Sequence, residues 1–418
     1  FEESYSIQIK TGHSRIDSCK FTLVQENTKT GIIDLGDYSF EILNCQFANA
    51  YATGAIRFTQ SSYEKPIYVT NCIFDNCKGD NYRCFYLSIF HTSGLTFQNN
   101  IIQNMKTKGE GKPEYIGLIN SSSSEPYLNS VELINVTFKD NECGSIYGGG
   151  SGLWIVAKEL HFEKCKFIGN KAQQIENHDE ERPSLDVNET YFNGDGGGIQ
   201  FGYSNTIFNA SLFFKECHFE KNSAFRHGGA IAVQTINEVL IQNCNFTQNS
   251  AHNIPSGSLK ILTYENHFNK KEKGCGGAIY INPTFSYLKD GSEQPPNMEH
   301  MTGITITGCK FDENKAFDGF AIYIEGDQPQ NDFHINISGN TFAYNEQKNG
   351  ENDKYQTFRA IISSEISLSI SDIETNNIFI SKDPNIRNVS LVNHYGNAFD
   401  YSNGTFDDLK ETIYLDKY

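Results

Sequence analysis

A short phrase ending in Cys-x-Phe returns seven times along this chain, and no other feature limits its fold as severely. The copies are Ser18-Cys19-Lys20-Phe21, Asn44-Cys45-Gln46-Phe47, Asn71-Cys72-Ile73-Phe74, Lys164-Cys165-Lys166-Phe167, Glu216-Cys217-His218-Phe219, Asn243-Cys244-Asn245-Phe246 and Gly308-Cys309-Lys310-Phe311. Degenerate copies stand between them at Asn100-Ile101-Ile102, Val136-Thr137-Phe138 and Asn340-Thr341-Phe342, making about ten turns of one unit. The shortest spacings, such as Phe219 to Phe246, are about 27 residues, and the longer ones contain polar inserts.

Each unit carries two further apolar tracts. One is glycine-led, as in Gly196-Gly197-Gly198-Ile199, Gly228-Gly229-Ala230-Ile231, Gly276-Gly277-Ala278-Ile279 and Gly319-Phe320-Ala321-Ile322. The other precedes the Cys-x-Phe phrase, as in Val239-Leu240-Ile241 and Ile304-Thr305-Ile306. All are short, rich in β-branched or aromatic residues and alternate with a period of two, which predicts three strands per turn and no helix. A leucine-rich horseshoe of similar period needs a Leu-x-x-Leu-x-Leu frame and a helical return, and neither is present. The expected fold is therefore all-β: a single-stranded right-handed parallel β-helix of about ten to twelve coils with loop insertions. At 418 residues the chain exceeds one compact core, so a single elongated domain over 1–418 is expected, with the clearest repeats at 130–350 and irregular terminal coils or a cap over 351–418.

Alternation assigns directions to side chains. Cys165, Cys217, Cys244 and Cys309 should face inward with the phenylalanines as a ladder of free thiols, since buried Cys behaves as a small apolar residue. In-register neighbours meet disulfide geometry poorly. An Asn three positions after Phe, at Asn141, Asn170, Asn222, Asn249, Asn314 and Asn345, predicts a corner ladder of amides in left-handed backbone geometry. Tyr280, between Ile279 and Ile281, and Tyr323, between Ile322 and Ile324, should point away from the core. With Trp154 farther along the same row and Gln200 and Lys289 as polar neighbours, they form the candidate ligand platform.

The ordered pairing of Phe-x-x-Asn (Phe138 to Asn141, Phe167 to Asn170, Phe219 to Asn222, Phe246 to Asn249, Phe311 to Asn314) with Gly-Gly-Ala-Ile resembles the chlamydial polymorphic outer membrane protein repeat. It is similar also to the repeat of trichomonad surface proteins. The resemblance is clear over about 130–350 and weaker over about 16–130. It implies a β-helix on a cell surface with adhesion as the usual role. Chlamydial proteins end in a translocating β-barrel, whereas this chain ends in irregular coils, so the protist type with a separate anchor is the better fit.

Charge and motif content narrow the function. Lys+Arg 34 against Asp+Glu 51 gives a net charge of −17, which opposes nucleic-acid binding. No window approaches 18 consecutive apolar residues, so no membrane span is expected within the chain. Phe1 in place of Met fits a mature chain or ectodomain. His178, His218 and His227 are the candidate general bases, but no Gly-x-Ser-x-Gly elbow, P-loop or polygalacturonase phrase accompanies them. The acidic stretch Glu176, Asp179, Glu180, Glu181, Asp186, Glu189 and Asp195 lacks the Asp-x-Asp-x-Asp-Gly calcium spacing; no metal and no cofactor is expected.

Four inserts, about residues 105–116, 173–195, 251–275 and 346–359, fall at one corner of the coil, where loops on a rigid scaffold commonly carry binding. Sequons for N-glycosylation occur at Asn120, Asn135, Asn188, Asn209, Asn245, Asn336, Asn388 and Asn403. The sequence thus predicts a secreted or cell-surface binding protein, adhesin-like and non-catalytic. Its partner would be a protein or glycan on another surface, or other subunits of an extracellular assembly. A carbohydrate-active β-helix enzyme and a structural subunit of such an assembly are the alternatives.

Overall fold

The computed structural model of this chain describes residues 7–9, 14–22, 33–35, 40–49, 55–59, 67–77, 82–88, 94–106, 115–120, 130–143, 149–155, 157–173, 194–201, 208–234, 236–251, 274–282, 303–316, 319–325, 334–347, 362–364, 376–380 and 392–393. Among them every strand pairing is parallel, and each strand bonds to its counterparts in the coils before and after. One coil shows the pattern: Phe208–Lys215, His218–Glu220, Ser223–Ala224, then the glycine corner and Ile231–Gln234. The next coil repeats it in Ile236–Gln242, Asn245–Thr247, Ser250–Ala251 and Ile279–Asn282. Equivalent strands stack into ladders of ten and eleven strands and three shorter ones of six. The chain is a parallel β-helix with the expected number of rungs.

Two details depart from expectation. A fourth strand of two residues, such as Ser223–Ala224 or Lys315–Ala316, follows the Asn corner, and it is too short to display a period. The recurrent Asn also does not adopt the left-handed geometry predicted for it. The residue before it does: Gly169, Lys221, Gln248, Glu313 and Tyr344 all have φ between 54° and 65°. A second left-handed corner precedes each Cys, for example at Lys164, Glu216 and Asn243. Two such turns per coil bend the strands sharply, and their side chains need not be glycine because they point into solvent or along the ladder.

Displaced from the bend itself, the Asn is buried and satisfies the corner backbone. Nδ2 of Asn249 donates to the carbonyl of Phe219 one coil back (3.0 Å) and to Oδ1 of Asn314 one coil forward (3.0 Å). Asn170, Asn222 and Asn314 do the same with Phe138, Phe167 and Phe246. This is the predicted amide ladder, in which each side chain also donates to a backbone carbonyl of an earlier coil.

The core is one continuous stack. Rings of Phe167, Phe219, Phe246, Phe311 and Phe342 follow one another at centroid spacings of 4.7–4.8 Å, with planes within 7° of parallel. Each such ring gains roughly 1.5–3 kcal/mol from burial. Beside them run Cys165, Cys217, Cys244 and Cys309, all buried, and the ten cysteines whose side chains are described are all free thiols. Their thiols lie against backbone carbonyls, and the backbone N–H of Cys217 reaches Sγ of Cys244 at 3.3 Å. Burial pushes the Cys165 and Cys244 thiols well above the usual range. Where the ladder lacks Cys, Asn100 and Asn340 take the same place and offer Oδ1 to the N–H of Cys72 and Cys309, both at 2.8 Å.

Within 351–418, the strands Ile362–Ser364, Ile378–Ile380 and Val392–Asn393 extend the ladders of the preceding coils. Among the described residues no helix is long and apolar enough to cross a membrane.

Candidate functional site

The glycine corner is where the coils differ chemically. Its first glycine, Gly196, Gly228 or Gly276, has φ of 65–69°. At the second, a Cβ would meet the next coil's carbonyl: 2.2 Å for Gly197 against Gly229, 2.1 Å for Gly229 against Gly277. The paired glycines therefore let successive backbones approach, as the sequence suggests. The residue before each pair is Asp195, His227 or Cys275, and these three form a column of their own. Oδ1 of Asp195 accepts the backbone N–H of His227 at 3.1 Å, and Nδ1 of His227 accepts that of Cys275 at 3.2 Å. Because Nδ1 is an acceptor, the neutral His227 ring carries its proton on Nε2.

Arg226 completes the column. Its Nε and Nη2 grip both oxygens of Asp195 at 2.9 and 2.6 Å, with Asp195 fully buried and the Arg226 side chain 12% exposed. Burial pushes the Asp195 carboxyl up, opposed by the guanidinium and by the N–H of His227. Burial on its own would lower Arg226, but Asp195, with Tyr280 and Glu325, carries it above its ordinary value. Tyr280 donates its hydroxyl to the Glu325 carboxylate, and burial together with that negative neighbour pushes its phenol up. The Tyr280 ring stacks on His227 at 4.7 Å and on Tyr323 at 6.1 Å, both nearly parallel.

This arrangement corrects the reading of the lateral face. Tyr280 and Tyr323 do point away from the core and lie in register with Ala232 and Gln200. They are nevertheless buried, 3% and 5% exposed, in a second apolar cluster with Ala232 and Cys275. Alternation tells which side of a strand a residue takes, but not whether that side is covered. Gln200 is equally buried, and its amide has no hydrogen-bond partner among the described residues. Trp154 does not share the Tyr280 ladder: its strand, Leu153–Ile155, closes a different six-stranded ladder and pairs with Tyr115–Asn120.

Other candidates fall elsewhere. His218 is half-buried beside Glu220 at 3.2 Å, outside the column. Lys289, His178 and the acidic stretch before Asp195 lie outside the described residues, as do 107–114, 174–193, 252–273 and 348–361, the bulk of the four inserts. The scaffold is described on both sides of each; at the glycine corner it leaves at Gln173 and resumes at Gly194, and leaves at Ala251 and resumes at Gly274. The Asp195 to Cys275 column therefore sits where two inserts rejoin the coil. Sequence reasoning named Asp195 only within the acidic stretch and His227 only as a candidate base, and it missed Arg226, Cys275 and Glu325; the signal available was the position directly before each glycine pair, occupied by a different residue in each coil.

Comparisons with known proteins agree with this architecture. Residues 2–160 match the family model of the right handed beta helix region, and residues 243–282 match that of the Chlamydia polymorphic membrane protein repeat. Over 155 residues the chain is 28% identical to "Metabotropic glutamate receptor-like protein P" of Dictyostelium discoideum, covering 36% of this chain and 9% of that protein. This chain thus spans a small part of the length of that curated relative. No solved structure matches. Residues 243–282, which contain the Phe246 to Asn249 corner and the Gly276-Gly277-Ala278-Ile279 tract, are thus similar to the polymorphic membrane protein repeat, and the chain around them is a parallel β-helix.

Proposed function

We propose that this chain is the extracellular, adhesin-like binding region of a cell-surface protein, non-catalytic, with its partner-binding elements at the corner where inserts leave the coils. The observation that carries this reading is the buried column Asp195, Arg226, His227, Cys275, which fixes the points at which the 174–193 and 252–273 inserts rejoin the scaffold. A rigid base with long connections is how repeat solenoids build binding surfaces. The surface-type repeat and the receptor-like relative support an extracellular setting. The carboxylates that meet here, Asp195 and Glu325, are bound to Arg226 and Tyr280, which is a structural use of both groups.

The test is binding of the purified chain to cells and to immobilised glycans, with each insert replaced in turn by a short Gly-Ser link. Loss of at least about tenfold in affinity, about 1.4 kcal/mol, on removing either insert supports the reading. Undiminished binding by both variants, or turnover of a polysaccharide by the intact chain, overturns it.

A further inference from the structure

We infer that Asn245 and Asn336 are N-glycosylation sites, so that oligosaccharides stand on two faces of the solenoid. Both sequons lie within strands, Asn245–Thr247 and His334–Ser338. In a strand, residues i and i+2 share a face. The middle residues, Phe246 and Ile337, are fully buried, which turns the Asn and the hydroxyl residue of each sequon outward together. Asn245 and Asn336 are exposed, and Ser338 donates its hydroxyl to Oδ1 of Asn336 at 2.7 Å. No hydrogen bond from Nδ2 of either Asn is formed among the described residues, so the nitrogen to be modified is uncommitted and faces solvent.

Asn135 is the instructive contrast. It too is exposed, but it occupies a left-handed corner with φ of 52°, and its Nδ2 donates to Oδ1 of Asn99 at 2.9 Å. That bond is one rung of an outer amide ladder running through Asn99, Asn71, Asn44 and Asp17. Its nitrogen already serves the fold. Of the remaining sequons, Asn120 and Asn209 have side chains outside the described residues, as do Asn188, Asn388 and Asn403 entirely.

The modifying step needs a lipid-diphosphate-linked oligosaccharide, the donor class of eukaryotic secretory compartments. The Asn amide nitrogen forms a bond to the sugar C1 as the C1–oxygen bond breaks; the amide loses one proton and the lipid diphosphate leaves. One N–H remains on the product. Asn245 is flanked in register by His218 and Lys310 on the eleven-stranded face, and Asn336 lies opposite Thr305 on the last rung of the ten-stranded face among the described residues. Glycans there would block lateral association through either sheet. The corner with the inserts belongs to neither face.

The inference rests on the extracellular setting proposed above, and secretion is therefore read separately, as protein in the medium. The full chain is secreted from a eukaryotic cell line and digested, and its peptides are mapped after enzymatic removal of N-glycans in heavy-oxygen water. Labelled Asp at positions 245 and 336 is expected. Asn245→Gln and Thr247→Val should each remove the same one glycan, Asn336→Gln and Ser338→Ala the other, with melting temperatures unchanged. Secreted, folded chain whose Asn245 and Asn336 peptides are unmodified overturns the inference while leaving the binding proposal standing.

Discussion

Oδ1 of Asn249 accepts two hydrogen bonds from Asn222 in the coil before it, one from the backbone N–H at 3.1 Å and one from Nδ2 at 3.0 Å. A single side chain thereby closes the corner of one coil and ties it to the next. Asn249→Ala leaves the Asn222 N–H without its partner and removes an amide donor from the Phe219 carbonyl, and should cost about 1–3 kcal/mol. Denaturant midpoints measure it; a midpoint equal to that of the unaltered chain refutes the structural assignment.

The thiol ladder makes a kinetic prediction. Cys217, Cys244 and Cys309 are 2% exposed or less, beside Phe219, Phe246 and Phe311. Labelling of the folded chain with a thiol reagent should leave all three unmodified until denaturant is added. Rapid labelling under native conditions would mean that the interior opens, or that the inward assignment is wrong.

At Gly229 the glycine corner leaves no room for a side chain. Gly229→Ala places a methyl 2.1 Å from the Gly277 carbonyl and 2.5 Å from the Ser250 nitrogen, both backbone atoms. Relief requires two coils to move apart, which should cost at least about 3 kcal/mol. Gly94→Ala is the control, since its Cβ would stand 3.5 Å from the Ser130 hydroxyl, an ordinary contact. Thermal melts of the pair should separate sharply; equal melts would mean that the corner is looser than described.

Arg226→Ala strands the buried Asp195 carboxylate, and breaking such a pair typically costs about 3–5 kcal/mol. The sign of its pH dependence follows from the raised folded-state pKa of Asp195. A group held above its unfolded value of about 3.9 favours the folded state fully below that pH, and this favour is lost as pH rises through the folded value. Removing the guanidinium raises the folded value further. The variant should therefore regain stability as the pH is lowered from 7 toward about 4, relative to the unaltered chain. A destabilisation independent of pH would show that Asp195 is not the group left uncompensated.

Much of the fold was legible because its determinants repeat. Cys-x-Phe and Phe-x-x-Asn recur at one spacing, so each coil independently reports the same inward and outward faces, and chance cannot imitate that seven times. What escaped notice was local or long-range. The strand Ser223–Ala224 has too few residues to show alternation. The left-handed corner accepts Lys221, Gln248, Glu313 and Tyr344 alike, so no residue type marks it. The covering of Tyr280 depends on His227, Glu325 and Cys275, from three different coils, and strand alternation carries no information about them. The column before the glycine pairs was invisible for the opposite reason: Asp195, His227 and Cys275 share a position but no chemistry.

Because each coil bonds only to the coil before and after it, damage has a short reach. A lesion in the Phe219 coil loosens its contacts with the Phe167 and Phe246 coils and leaves the Phe47 rung, several coils away, untouched. Stability in such a stack behaves as a chain of neighbour couplings rather than one global transition. Unfolding should then start from an end or from the weakest coil and travel rung by rung. Coils can also be added or lost over evolutionary time without refolding the remainder, so the protein's length is a variable that selection can adjust to the distance at which a partner must be reached.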